Sequence, residues 1–213
     1  MSDKPQRYIS PKGVAIFPWL DKADTKWKAE GEYRCKLQVS ADEGEKLVAK
    51  LQPLFDAAIE KAKKNPARKG KKIVEQEFFT MAVDEDGNET GDYLFNFKRT
   101  ASGVSKKTGK AWAIKPDLFD AKGKKLPADV KIYGGSIVKV SFEVIPYDTP
   151  KATGIKLSLA GVQVLKLVEG NGRSAAQYGF EDESDDEDAE PISSDNDTTS
   201  SDDTEDADSG DAF

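Results

Sequence analysis

Histidine is absent from the 213 residues, and cysteine occurs once, as Cys35. Without an imidazole there is no Ser-His-Asp or Cys-His machinery and no histidine general acid or base. One thiol excludes an internal disulfide and a multi-thiolate zinc site within the chain. No apolar run approaches the roughly 20 residues that span a bilayer, and Met-Ser-Asp-Lys-Pro carries no signal-peptide pattern. A protein that is soluble and stays where it is made is expected. A nucleotide loop is missing too, because Tyr133-Gly-Gly-Ser136 has the wrong spacing and precedes a strand instead of a helix. The compact acidic trio Asp84-Glu85-Asp86 runs into Gly87-Asn88 and reads as a turn, which leaves a magnesium-dependent nuclease without its carboxylate constellation. No cofactor, no metal and no enzymatic activity are expected.

The most pointed absence is of positive charge near the end of the chain. Residues 181–213 hold sixteen Asp and Glu and no Lys or Arg. With those set aside, residues 1–180 carry 23 acidic side chains against 32 basic ones, a net charge of +9, so the overall pI of about 4.9 conceals a basic body. A net-positive surface attracts polyanions over roughly a Debye length, and a tethered acidic segment competes for the same surface. The segment is too polar to bury a core, which divides the chain into a folded domain at 1–172 and a disordered acidic tail at 173–213.

Within the body the pattern is mainly β. Residues 12–20 read as a short strand that Pro18 confines to an edge or an end. In 31–39, Tyr33, Cys35, Leu37 and Val39 alternate with Arg34, Lys36 and Gln38. Ser40 followed by Glu43 is a capping-box signature, and Leu47, Leu51, Leu54, Ala58 and Ala62 recur at helical spacing, giving one helix of about 24 residues through Pro53. The basic stretch 61–72 either touches phosphate or is merely solvated. Strand patterns return at 78–83 and 93–101, a hairpin turn falls at Ser105–Lys110 before Trp112–Lys115, and a lysine-rich turn at Asp120–Lys125. The longest strands are 137–147 and 154–168, the second with a bulge at Gly161. One long helix inserted after the second of six or seven strands points to an OB-type fold, a five-stranded antiparallel barrel with extra hairpin strands.

If the apolar faces line the barrel, the opposite faces collect Arg34, Lys36, Lys98, Lys139, Tyr147 and Lys156, with Lys106, Lys107 and Trp112 on the hairpin. Cations that track a backbone and rings on which bases stack are what single-stranded nucleic acid requires. Tyr147 is the leading aromatic candidate, since parity takes it off the core face; Trp112, Tyr133 and Trp19 follow, with core packing as the competing role.

Leu94-Phe-Asn-Phe-Lys-Arg99, Asp120-Ala-Lys-Gly-Lys-Lys125, Gly134-Gly-Ser-Ile-Val-Lys-Val140, Ile145-Pro-Tyr147 and Lys156-Leu-Ser-Leu159, in that order before an acidic tail closing on Asp211-Ala-Phe213, resemble the single-stranded-DNA-binding proteins of T-seven-like bacteriophages. The resemblance implies an OB-fold with an inserted helix, a homodimer in the host cytoplasm, no membrane association, and roles in phage DNA replication, recombination and repair. It also implies a tail that contacts the phage DNA polymerase and helicase-primase, here through Phe213, Asp211 and Asp208, with Lys98 and Tyr147 at DNA-contacting positions. Where the family has a basic residue before Gly-x-Tyr, this chain has Glu30, and Arg34 and Lys36 are expected to take over. The rival reading is an acidic-tailed DNA mimic or chaperone whose body is only a scaffold.

A chain of the tail's length spans roughly 30 Å, enough to reach its own body or a dimer partner's. Deleting 181–213 is therefore expected to tighten binding to single-stranded DNA and abolish polymerase interaction. Unchanged affinity in low-salt filter binding would eliminate tail competition.

Overall fold

The computed structural model describes residues 6–168 except 85, 128 and 129. The expected tail, with Asp208, Asp211 and Phe213, lies outside the described residues. Five strands form the barrel: β2 (Gly13–Asp24), β3 (Glu32–Val39), β5 (Glu89–Thr100), β9 (Ile137–Asp148) and β10 (Thr153–Lys166). The ring runs β2-β3-β5-β10-β9 and back to β2. Four seams are antiparallel, as expected; β5 with β10 is parallel, through Leu157 opposite Phe97 and Ser158 opposite Lys98. An odd number of strands cannot alternate direction around a closed ring, so a five-stranded barrel must contain a parallel seam.

Inward alternation builds the core. Cys35 and Leu37 on β3, Phe95 and Phe97 on β5, Val138, Val140 and Phe142 on β9 and Leu159 on β10 are all fully buried. Burial pushes the Cys35 thiol up to about 12, which leaves it an inert packing group at neutral pH. The bulge at Gly161 is present, as a register shift between Leu159 and Gly161.

The helix α1 (Ala41–Lys63) follows β3 and buries Leu47, Leu51, Phe55 and Ile59 against the barrel. It passes through Pro53 without ending. A proline inside a helix costs about 3 kcal/mol, and four large apolar side chains at about 1.5–3 kcal/mol each outweigh it. The expected capping box does not form. Ser40 makes no side-chain cap bond, and Glu43 instead accepts from Lys46 Nζ at 2.6 Å.

Two short strands have no counterpart in the sequence pattern. β1 (Arg7–Ile9) pairs with β9 and β8 (Asp117–Phe119) with β10, both three-residue strands too short to show a period. β4 (Phe79–Val83) lines the edge of β5, and β6 (Ser102–Val104) and β7 (Ala111–Ala113) form the expected hairpin around Ser105–Lys110. Most unexpected is that β2 continues through Pro18 to Asp24. Ile16 faces Lys36 and Trp19 faces Arg34, so three steps on β2 match two on β3. The extra residue is a bulge, where a missing proline N–H removes no ladder bond.

Gly44 is buried on the helix face that meets β5, and a Cβ there would fall on the Tyr93 ring, 2.8 Å from its Cβ. Alanine improves an exposed helix by about 1 kcal/mol over glycine. Here overpacking, at about 1–3 kcal/mol, is the larger effect. Gly44→Ala is expected to lower the urea midpoint; a raised midpoint would mean that the helix and β5 separate freely.

Candidate nucleic-acid interface

The outward side chains of β3 and β5 lie side by side because Arg34 is registered with Lys98 and Lys36 with Asn96. A cleft of about 440 Å³ opens where the edge of β5 passes from β4 to β10. Its cations are Lys28, Lys36, Lys98 and Lys156, its rings are Tyr147, Phe78 and Phe79, and Leu157 adds to the apolar lining. Cationic and flat apolar groups thus share one concave surface on the strand face that OB barrels use for oligonucleotides.

The charges crowd one another. Lys28 Nζ lies 2.8 Å and Lys98 Nζ 3.9 Å from the Glu32 carboxylate. Burial pulls the Lys156 ammonium below its ordinary range; Glu32 opposes that pull, and Lys28, Lys98 and Arg99 add to it. A phosphate entering the cleft would relieve this repulsion. Burial also pushes the Tyr147 phenol up, and its neutral hydroxyl donates to Gln76 Oε1 at 3.3 Å. Gly154, registered opposite Tyr147, leaves room for it: a Cβ there would meet Tyr147 Oη at 3.2 Å.

Arg34 is on the same face but engaged. Its guanidinium sits 2.8 Å from the buried Asp24 carboxylate and over the ring of the half-buried Trp19 at 5.7 Å. Lys139 is not brought to the cleft; it lies in a separate depression with Arg7, Asp117 and Gln163. Parity distinguishes outward from inward, but outward positions on a closed barrel face every direction. Lys106 and Lys107 are exposed at the hairpin turn, and Trp112, 38% exposed, packs against Gly103. The hairpin is tied beside the β2–β3 connection by Ser102 Oγ donating to the Glu30 carbonyl at 2.9 Å and Ala101 N–H to that of Gly31. That connection carries Lys26, Trp27 and Lys28. Sequence reasoning missed Lys28, although Lys-Trp-Lys alternates cation and ring; Gln76 and Phe78 carry no local signal. Tyr133 is 40% exposed in the loop before β9. Among the described residues there is no group of three or more His, Cys, Asp or Glu placed to hold a metal ion, and no helix long and apolar enough to cross a membrane.

The basic stretch 61–72 resolves into two parts. Arg68, in a one-turn 3₁₀ helix, pairs with Asp148 at 2.8 Å and donates to the Thr149 carbonyl at 2.6 Å, fastening the segment to the β9–β10 turn beside Tyr147. Lys69, Lys71 and Lys72 are exposed. The buried Arg68 Nε has no partner.

Residues 13–167 match the family model described as single-stranded DNA-binding protein, bacteriophage T7. The chain is 31% identical over 152 residues to the single-stranded DNA-binding protein of Enterobacteria phage T3, across 70% of its own length and 62% of the relative's. To that of Escherichia phage T7 it is 32% identical over 143 residues, covering 65% of itself and 59% of the relative. It thus spans about 60% of the length of these curated relatives. Among solved structures, the T7 protein gp2.5 superposes with a TM-score of 0.65 at 25% identity, over 82% of this chain and 98% of that one. The single-stranded DNA-binding protein of bacteriophage Enc34 in complex with ssDNA shares the fold, with a TM-score of 0.52 at 19% identity over 78% of this chain and 89% of that one.

The Asp148 carboxyl is held below its ordinary range first by the Thr153 hydroxyl, donating at 2.9 Å, then by Asn65 and Arg68, against the opposing effect of burial. A lowered folded-state pKa contributes stability that is complete above the unfolded value of about 3.9 and is lost as pH falls through the lower folded one. Asp148→Asn is expected to lower the Tm at pH 7, with the gap to wild type narrowing below about pH 4. A gap independent of pH would show that the carboxylate charge does not hold the clamp.

Proposed function

Because the chain belongs to the family of the bacteriophage T7 single-stranded DNA-binding protein, we propose that it coats and protects single-stranded DNA during phage DNA replication, recombination and repair, without catalysis. The observation that carries this reading is the cleft in which Lys28, Lys36, Lys98 and Lys156 surround an apolar lining beside Tyr147. Backbone phosphates meet the ammonium groups and release counterions, while bases lie against rings and aliphatic surface. Sequence preference is weak because every base has a π-face. Lys106, Lys107 and Trp112 on the hairpin arm extend the path past Lys28. Lys139 stands apart from it.

In a division at 172, a basic barrel binds, and a segment at 173–213, acidic from Glu181 onward, competes. DNA displaces the segment, which then docks through Phe213, Asp211 and Asp208 on the phage DNA polymerase and helicase-primase. Family membership supports a homodimer acting in the cytoplasm of the infected host. A DNA mimic or chaperone would place the activity in the acidic segment and leave the cleft idle.

Lys36→Ala, Lys98→Ala and Lys156→Ala are each expected to weaken binding to single-stranded DNA and to reduce the slope of log K against log salt by about 0.7 for every phosphate left without its ammonium. Lys139→Ala is expected to leave both nearly unchanged. Fluorescence anisotropy over a salt series measures these quantities, and full affinity in the triple cleft variant would refute the assignment.

A further inference from the structure

Along β2, alternation sends Gly13 and Ala15 into the core, and Phe17 has the same parity. The bulge reverses it. Phe17 is 78% exposed, and inward packing resumes at Leu20, which is fully buried. Phe17 also has φ 46°, the one positive value at a non-glycine residue among the described residues. Left-handed backbone is unfavourable for an L-residue with a bulky side chain, and exposure of a phenyl ring forgoes its burial. Two costs fall on one residue, and packing offsets neither.

The surroundings of the ring suggest what does. Phe17 borders a second cleft of about 300 Å³ with Arg34, Lys36, Asn96 and Lys98. Lys36 and Lys98 also line the larger cleft, so the two form one continuous surface across β2, β3 and β5. Bulges re-aim side chains at functional sites, and strained residues persist where the surrounding structure holds them in place. We propose that the Phe17 bulge is a built base-stacking platform: the phenyl ring receives a nucleobase whose flanking phosphates lie on Lys36 and Lys98. This rests on the single-stranded DNA reading above and adds a subsite on the β2 side, opposite the cleft's β10 side.

Phe17→Gly separates stacking from structure, since glycine adopts the same φ without strain. In the full-length protein its Tm is expected to equal or exceed that of wild type. Its affinity for a thymidine oligonucleotide is expected to fall roughly 5- to 150-fold, the range that base–aromatic stacking spans. The salt slope stays unchanged because each phosphate keeps its ammonium partner, and Phe17→Trp restores affinity. An oligonucleotide of equal length made of abasic sites keeps the charge and removes the bases, so wild type and Phe17→Gly should bind it equally. Undiminished affinity of Phe17→Gly for the thymidine oligonucleotide overturns the proposal while leaving the DNA-binding reading intact. An equal loss on the abasic oligonucleotide also overturns it, by making the role structural. Failure of wild type to bind either oligonucleotide overturns both readings.

Discussion

The barrel closes through two residue pairs, Leu157 with Phe97 and Ser158 with Lys98, and this short parallel seam positions the rest of the basic outer face. Five strands require one such seam. Its shortness follows from β4, which occupies the edge of β5 from Glu89 to Phe95 and leaves only the final stretch of that edge to β10. Where β4 and β10 part, the sheet cannot be continuous, and the gap is the cleft. The same two pairs set Lys98 one strand away from Lys156, so the closure that completes the core also concentrates charge outside it.

Concentrated charge needs a counterweight in the free protein. Glu32 faces Lys28 and Lys98, and Asp24 holds Arg34 over Trp19. The ammonium groups that face Glu32 are about half exposed, and solvent screening keeps pairs with such groups weak. Glu32 therefore holds its lysines near one another at little cost to their exchange for phosphate. Arg34 differs, because its partner Asp24 is buried, and removing either member would strand a charge away from water. Arg34 accordingly shapes the surface, whereas Lys36, Lys98 and Lys156 are the groups available to a ligand.

Much of this was legible in the sequence for one reason: strands buried on one face must alternate. Tyr33, Cys35, Leu37 and Val39, and Phe95 with Phe97, declared both the core and the opposite lysine face, and the helix announced itself by spacing alone. Alternation fails where the backbone changes register. Phe17 has core parity and is exposed because of a bulge whose only sequence sign is Pro18, which reads equally well as a strand end. It also fails to give direction: Lys139 and Tyr147 share the outward face of β9, yet a closed, twisted sheet sends them to different sides. Three-residue strands such as β1 and β8 carry too few positions for any period, and Arg68 pairs with Asp148 from far along the chain, which no local pattern records.

On the proposed function, in which an acidic segment of the same chain competes with DNA, the composition of the cleft constrains that competition. A tethered ligand acts at millimolar effective concentration, so even weak ion pairing keeps a cationic surface occupied at low salt. Carboxylates can satisfy Lys36, Lys98 and Lys156, but they bring no base to the apolar lining or to Tyr147. On that reading a single-stranded nucleic acid would match both halves of the surface, and a carboxylate segment only one. Raising the salt screens the shared, electrostatic half and leaves stacking largely untouched. The proposed competition therefore assigns the advantage of DNA to the aromatic and apolar groups, and the common attraction of both polyanions to the lysines.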